Sequence, residues 1–144
     1  MGGSFTPAQD SLLRQLELAD SADVLPPLER AVLAAVYRRA ALVLQTSEGE
    51  GFGLPVIEAM ACGTPVLASD IPALREVGGS APMYCTVAEI AVWAESAIAL
   101  LRERDREPES WYARREAGLS QAKKFSWAEY AKKMVGIYQR LLAC

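Results

Sequence analysis

The chain has 144 residues, of which 51% are apolar, and its formal net charge is −3. This length suits one domain with a sizeable core, and a negative chain without an obvious basic face argues against nucleic acid as a partner. The chain contains no histidine, which excludes histidine triads and histidine general bases. Its three cysteines lack the spacing of a disulfide framework or a zinc site, so we expect Cys62 and Cys85 to be small buried side chains.

The N-terminal third of the chain alternates helix and strand signals. Thr6 is a suitable N-cap and precedes a proline, which predicts a helix from residue 7 to about 19. A short strand is predicted over residues 22–25, and two prolines then begin a helix that runs to residue 40. The continuous apolar run over residues 41–45 is typical of a parallel strand that is covered on both faces.

The alternation continues to the C-terminus. We expect further strands at residues 66–68 and 82–85, and one or two helical turns at residues 72–77. Three helices are predicted to follow, at residues 87–103, 109–124 and 127–142. This order predicts an α/β fold with a doubly wound, Rossmann-like parallel sheet. We expect residues 1–144 to form a single domain whose C-terminal helices occupy about residues 87–143. No signal peptide or membrane-spanning run is visible, so a cytoplasmic protein is expected.

The segment from Glu50 to Val66 carries the strongest functional signal. Two carboxylates, Glu50 and Glu58, lie eight positions apart and are separated by a glycine-flanked loop and a proline. Proline suits the first helical turn, and Gly51 and Gly53 allow a sharp turn and a close approach to a ligand.

We expect a helix over residues 55–62 with Gly63 as its left-handed cap. Its free amides and the positive end of its dipole would face the loop, where a phosphate is the expected ligand.

The two carboxylates also have simpler interpretations. Glu58 is either a solvated helix position or a ligand group, since a carboxylate among apolar neighbours is expensive to bury without a partner. Glu50 lies in the loop, a position that predicts little structural role.

The two carboxylates and the loop between them resemble the Glu-x7-Glu signature of the retaining, GT-B-type group-1 glycosyltransferases. Several flanking segments extend the resemblance: Leu33, Tyr37 and Ala40, and residues 42–47, 65–70 and 76–79. The resemblance covers nearly the whole chain and implies the C-terminal, donor-binding half of a GT-B fold.

The resemblance implies transfer of a sugar from a nucleotide-diphosphate sugar to an acceptor hydroxyl, with retention and without a metal or other cofactor. Glu58 would bind the ribose, and Gly53, Leu54 and Pro55 would bring helix amides to the diphosphate. Glu50 would be the catalytic residue beside the donor sugar. Gly51 and Phe52 complete the donor-binding loop, and the Phe52 ring would pack it.

The resemblance also implies what to expect around this segment. Residues 4–6 match a position after the second strand of the donor domain. We therefore expect the first two strands, the acceptor-binding N-terminal domain and the basic diphosphate-gripping residues to be missing, and the isolated chain to be inactive. Two alternatives stay open: a non-catalytic nucleotide-sugar-binding or interaction module, and a GT-B-fold nucleotide-sugar epimerase.

Two partners besides the nucleotide sugar are also considered. The separated Lys and Arg pairs suggest a peripheral membrane contact. The strand at residues 41–45 would present an open edge, which either the strand at 22–25 or a second copy of the chain would cover.

Overall fold

The computed structural model describes residues 4–142, which fall into two compact units divided between Leu33 and Ala34. The first unit contains helix α1 (Pro7–Gln15) and a 3-10 turn (Ala19–Ser21), and helix α2 (Arg30–Arg39) runs across the division. The extent of the domain stays a prediction.

Helix α1 begins where the sequence predicts. Thr6 is its N-cap: the Thr6 hydroxyl accepts from the Gln9 amide at 3.3 Å, and the Gln9 side chain accepts from the Thr6 amide at 2.9 Å. This reciprocal pair is a capping box. The helix ends at Gln15 rather than near residue 19, because Glu17 adopts a φ of 56° that the helical path cannot accommodate.

The strand predicted at residues 22–25 is wrong: these residues have no regular secondary structure. A strand exists only as part of a ladder, and the backbone groups of these residues form no ladder with any other described strand. The following helix begins at Arg30 rather than at the two prolines.

The second unit contains a three-stranded parallel sheet in the order β1-β2-β3, formed by Val43–Gln45, Val66–Ser69 and Met83–Cys85. Its helices are α3 (Leu54–Ala61), α4 (Pro72–Gly78), α5 (Ile90–Arg106), α6 (Pro108–Ala122) and α7 (Trp127–Leu142). In register, Leu44 lies beside Leu67, and Ser69 lies beside Cys85. The predicted parallel α/β architecture is confirmed.

The central strand β2 places its side chains into two separate clusters. Val66 and Ala68 pack on one face against α3, α4 and the end of α6. Leu67 points to the other face, where it meets Cys85 and Leu100 of α5. This alternation is the period of two that a strand imposes, and it confirms that both faces of the sheet carry helices.

Strand β1 departs from the prediction of a fully covered strand. Leu44 is 52% exposed, and β1 lies at one edge of the described sheet. Because no strand forms at residues 22–25, the predicted closure of this edge by that segment is wrong. Covering by a second copy of the chain stays a prediction.

The helix predicted from residue 87 begins later. Ala88 has a φ of 64°, and α5 starts at Ile90. Helices α6 and α7 lie within about two residues of the predicted positions. None of the described side chains of α7 is buried, and its Trp127 and Leu141 are exposed.

Candidate functional site

The loop between β1 and α3 occupies the carboxyl end of β1. Ligands of open parallel sheets bind outside this end of the strands. Gly53 lies at the N-cap of α3 with a φ of 89°, and Pro55 follows within the first turn. A Cβ on Gly53 would lie 2.6 Å from Leu74 Cδ2 and 3.2 Å from Val77 Cγ2. Gly53 therefore meets both a backbone requirement and a packing requirement, since α4 closes directly over it.

Gly51 differs from Gly53. It is not in the left-handed region, and a Cβ there would meet nothing within 4 Å. The sharp turn expected at both glycines is therefore made at Gly53 alone.

The far end of α3 is closed as predicted. Gly63 has a φ of 73°, its amide donates to the Met60 carbonyl at 2.9 Å, and the Thr64 amide donates to the Ala59 carbonyl at 3.0 Å. These two bonds form a Schellman motif. The Arg115 side chain of α6 also donates to the Gly63 carbonyl at 2.8 Å, which fixes this end of the helix.

The first backbone amides of α3 make no intramolecular hydrogen bond among the described residues, as is usual at a helix N-terminus. Among residues 4–142, the N–H groups of Phe52, Gly53 and Leu54 donate to no other residue. Phe52 is 48% exposed and Leu54 is 57% exposed, whereas Gly53 between them is buried beneath α4. Because the helix dipole adds positive potential here, an anion is the ligand that this end of the helix favours.

Glu58 lies on the exposed face of α3, so the expectation that its apolar sequence neighbours surround it is wrong. Val56, Ile57 and Ala59 point into the core instead. One Glu58 carboxylate oxygen accepts a hydrogen bond from the Tyr37 hydroxyl at 3.4 Å.

Tyr37 is itself held in place. The Thr64 hydroxyl donates to its carbonyl at 2.6 Å. Burial, and next the Glu58 carboxylate, raise the pKa of Tyr37, so its hydroxyl stays protonated and can donate. The resemblance had placed Tyr37 only in a helix pattern; its role beside Glu58 follows from the fold.

Glu50 is more firmly held than its loop position predicts. Its Oε1 accepts from Gln45 Nε2 at 2.6 Å and from Ser47 Oγ at 2.7 Å, and all three side chains are partly buried. The prediction of little structural role is therefore wrong, because this carboxylate ties the loop to the end of β1. The sequence had not singled out Gln45 or the Ser47 hydroxyl.

Phe52 packs the loop from its other side. Its ring meets the ring of Phe125 edge to face, with centroids 6.1 Å apart and an interplanar angle of 81°. Such pairs are a favoured aromatic geometry. The expected packing role of Phe52 agrees with this contact.

The carboxyl ends of β2 and β3 carry a second polar group. Arg75 makes two hydrogen bonds to Asp70, at 2.6 and 2.8 Å, and its guanidinium lies 4.2 Å from the centroid of the Tyr84 ring. The hydrogen bonds from Arg75 lower the pKa of Asp70. The Tyr84 hydroxyl has one hydrogen to share between the carbonyls of Leu74 and Gly79, at 3.1 and 3.0 Å, so it joins β3 to α4 and its C-cap.

Replacing Arg75 with glutamine is expected to raise the pKa of Asp70 towards its ordinary value, as measured by following the Asp70 side-chain carboxyl resonance in an NMR pH titration. The stabilising effect of this pair is present above the ordinary carboxyl pKa and is lost as the pH falls through the lowered one. Arg104→Gln is the matched control, because that arginine pairs with Asp105 and does not touch Asp70. An Asp70 titration unchanged by Arg75→Gln would contradict the assigned cause.

Among residues 4–142, no cluster of three histidine, cysteine or acidic residues could hold a metal ion. No helix in that range has both the length and the apolarity to cross a membrane. Of the cysteines, Cys85 is buried as expected, Cys62 is only partly buried, and Cys144 lies outside the described residues.

A shallow groove elsewhere in this unit is lined by residues that include Glu103 and Arg114. These two side chains form a two-pronged ion pair with each other, at 2.8 and 3.1 Å. This ion pair neutralises two of the charged side chains of the groove and leaves Glu107 as its third. The loop at β1, with its two carboxylates, is the candidate site.

Comparison with known proteins identifies the family. Residues 8–116 match the family model described as glycosyl transferases group 1. The chain belongs to this family. It is 35% identical over 146 residues to a D-inositol 3-phosphate glycosyltransferase of Mycolicibacterium smegmatis, a match that covers 98% of the chain and 32% of the relative. It is also 34% identical to an O-antigen chain mannosyltransferase B of Escherichia coli, over 76% of the chain and 28% of that protein.

Solved structures agree. Sucrose-phosphate synthase from Thermosynechococcus elongatus superimposes with a TM-score of 0.81 at 25% identity, over 98% of the chain and 37% of that structure. A glycosyltransferase from Rickettsia africae gives a TM-score of 0.83 at 18% identity, over 94% of the chain and 36% of that structure, and supports the fold alone. The chain therefore spans about a third of the length of the relatives it matches. The resemblance to a group-1 glycosyltransferase C-terminal domain is confirmed.

Proposed function

We propose that this group-1 glycosyltransferase chain binds a nucleotide-diphosphate sugar at the loop and helix from Glu50 to Gly63, as the donor-binding part of a retaining enzyme. The observation that carries this proposal is the N-terminus of α3. The amides of Phe52, Gly53 and Leu54 have no hydrogen-bond partner among residues 4–142, and the fold holds one carboxylate just before this helix, Glu50, and one within it, Glu58. A diphosphate suits the amides, and hydroxyl groups suit the carboxylates as acceptors.

Each residue then has a separate role. The amides of Gly53 and Leu54 receive the diphosphate, and Pro55 presets the first turn without using a donor. Glu58 accepts from the ribose hydroxyls. Glu50 lies beside the donor sugar, orients its hydroxyls and stabilises positive charge at the anomeric carbon. Gly51 and Phe52 shape the loop around the ligand.

The chemistry that this proposal requires needs no bound metal. Residues 46–63 contain no lysine or arginine, so within this segment the backbone supplies the positive groups that face the leaving diphosphate. Transfer further requires an acceptor hydroxyl. A nucleotide-sugar-binding module without turnover is the second candidate, because the helix amides and the two carboxylates account for donor binding alone.

Replacing Glu58 with glutamine is expected to weaken nucleotide-sugar binding by roughly 10- to 150-fold, because a hydrogen bond to a charged group is worth about 1.5–3 kcal/mol. Glu58 is exposed, so the fold should be unaffected. Isothermal titration with UDP-glucose, GDP-mannose and ADP-glucose measures the change for whichever donor binds the unmodified chain.

Glu76→Gln is the matched control, because Glu76 is an exposed glutamate on α4 outside the proposed site. Unchanged donor affinity in a folded Glu58→Gln variant would contradict the ribose-binding role. An equal loss in the control would indicate a general charge effect instead.

A further inference from the structure

Glu50 is held through only one of its two carboxylate oxygens. Gln45 Nε2 and Ser47 Oγ both donate to Oε1, at 2.6 and 2.7 Å. No described residue donates a hydrogen bond to Oε2. The carboxylate is therefore fixed in rotation, and its second oxygen remains available as an acceptor.

The side chains of Gln45, Ser47 and Glu50 are all hydrogen-bonded to one another. Gln45 Nε2 also donates to Ser47 Oγ at 2.8 Å, so the hydroxyl accepts one bond and donates another, as a hydroxyl can. Gln45 is the last residue of β1, and its register partner is Ala68 of β2. These three side chains are thus anchored to the sheet. Because hydrogen bonds to an ionised acceptor are stronger than neutral ones, the two bonds to Glu50 hold its carboxylate firmly.

The geometry points to Gln45 and Ser47 as positioning residues for the donor sugar. They orient Glu50 so that Oε2 faces the ligand bound at the start of α3. This inference rests on the proposed function, and it gives a positioning role to two side chains that do not contact the ligand themselves. A preorganised carboxylate loses less conformational freedom on binding than a mobile one.

The sugar-dependent part of binding tests the inference. The affinities of a nucleoside diphosphate and its sugar conjugate are compared, using UDP with UDP-glucose, GDP with GDP-mannose and ADP with ADP-glucose. Gln45→Leu and Ser47→Ala are expected to lower the affinity for the conjugate by about tenfold, as for one lost bond to a charged group, and to leave the diphosphate affinity unchanged.

Two controls separate positioning from loop shape. Ser47→Thr keeps the hydroxyl and should restore conjugate binding, and Thr46→Ala removes an exposed neighbouring hydroxyl that has no hydrogen bond to Glu50. In addition, the side-chain amide resonances of Gln45 should move when Glu50 is replaced by glutamine, which reports the contact without any ligand.

The outcomes are distinct. An equal loss of affinity for the sugar conjugate and for the nucleoside diphosphate would overturn the inference in favour of a loop-shaping role. A Gln45 side-chain resonance that does not shift when Glu50 is replaced by glutamine would also overturn it. Unchanged conjugate affinity in both variants would overturn it as well. Failure of the unmodified chain to bind any of the six ligands would overturn the proposed function, and the inference with it.

Discussion

Replacing Gly53 with alanine is expected to lower the free energy of unfolding of the second unit by about 2–6 kcal/mol, the sum of about 1–3 kcal/mol each for backbone strain and overpacking. The backbone at this position has a φ of 89°, which costs any residue with a Cβ. The new methyl would also lie 2.6 Å from Leu74 Cδ2, inside contact distance. Urea denaturation followed by tryptophan fluorescence measures the loss, because Trp93 and Trp111 pack against the core of this unit.

Gly51→Ala is the matched control, since it changes the same residue type in the same loop where a Cβ meets nothing within 4 Å. Its effect should stay within about 0.5 kcal/mol, as for most surface substitutions. Equal stabilities of the two variants would show that α4 does not close over Gly53 as described.

Replacing Met60 with alanine is expected to lower the free energy of unfolding of the second unit by about 2–5 kcal/mol, the range for truncating a long core side chain. Met60 is 1% exposed and belongs to the cluster between the sheet and helices α3, α4 and α6. Its Cγ lies 3.4 Å from where a Cβ on Gly118 would be, and Gly118 has no side chain that could fill the gap left by the truncation. Urea denaturation again gives the value.

Leu54→Ala removes a similar number of atoms from the same helix at a position that is 57% exposed, and should change stability by less than about 1 kcal/mol. Met60→Leu should cost less than about 1.5 kcal/mol because it conserves volume. A Met60→Ala loss no larger than that of Leu54→Ala would contradict the assignment of this face of α3 to the core.

The sequence predicted the elements whose signals are local. The Thr6 cap, the left-handed Gly63 and the limits of α7 depend on residues within a few positions of one another, and all three are confirmed. The strand at 22–25 failed because strand formation depends on a partner that local composition cannot supply.

The candidate site shows the same limit. The spacing of Glu50 and Glu58 identified the family, but not what holds each carboxylate. Tyr37 lies 21 positions before Glu58, and Gln45 bonds to Glu50 because the loop after β1 returns that carboxylate to the end of the strand. The exposure of Glu58 also could not be read from its apolar sequence neighbours, since Val56, Ile57 and Ala59 are buried in the core while Glu58 lies on the exposed face of the same helix.

The central claim is that the start of α3 receives the diphosphate of a nucleotide sugar. An NMR titration of the ¹⁵N-labelled chain with UDP-glucose, GDP-mannose and ADP-glucose tests it most directly, because each backbone amide reports separately. The account predicts that one of these ligands shifts the amides of Phe52, Gly53 and Leu54 first and most, with saturation. Saturable shifts confined to residues outside 45–63, or none with any of the three ligands, would contradict it.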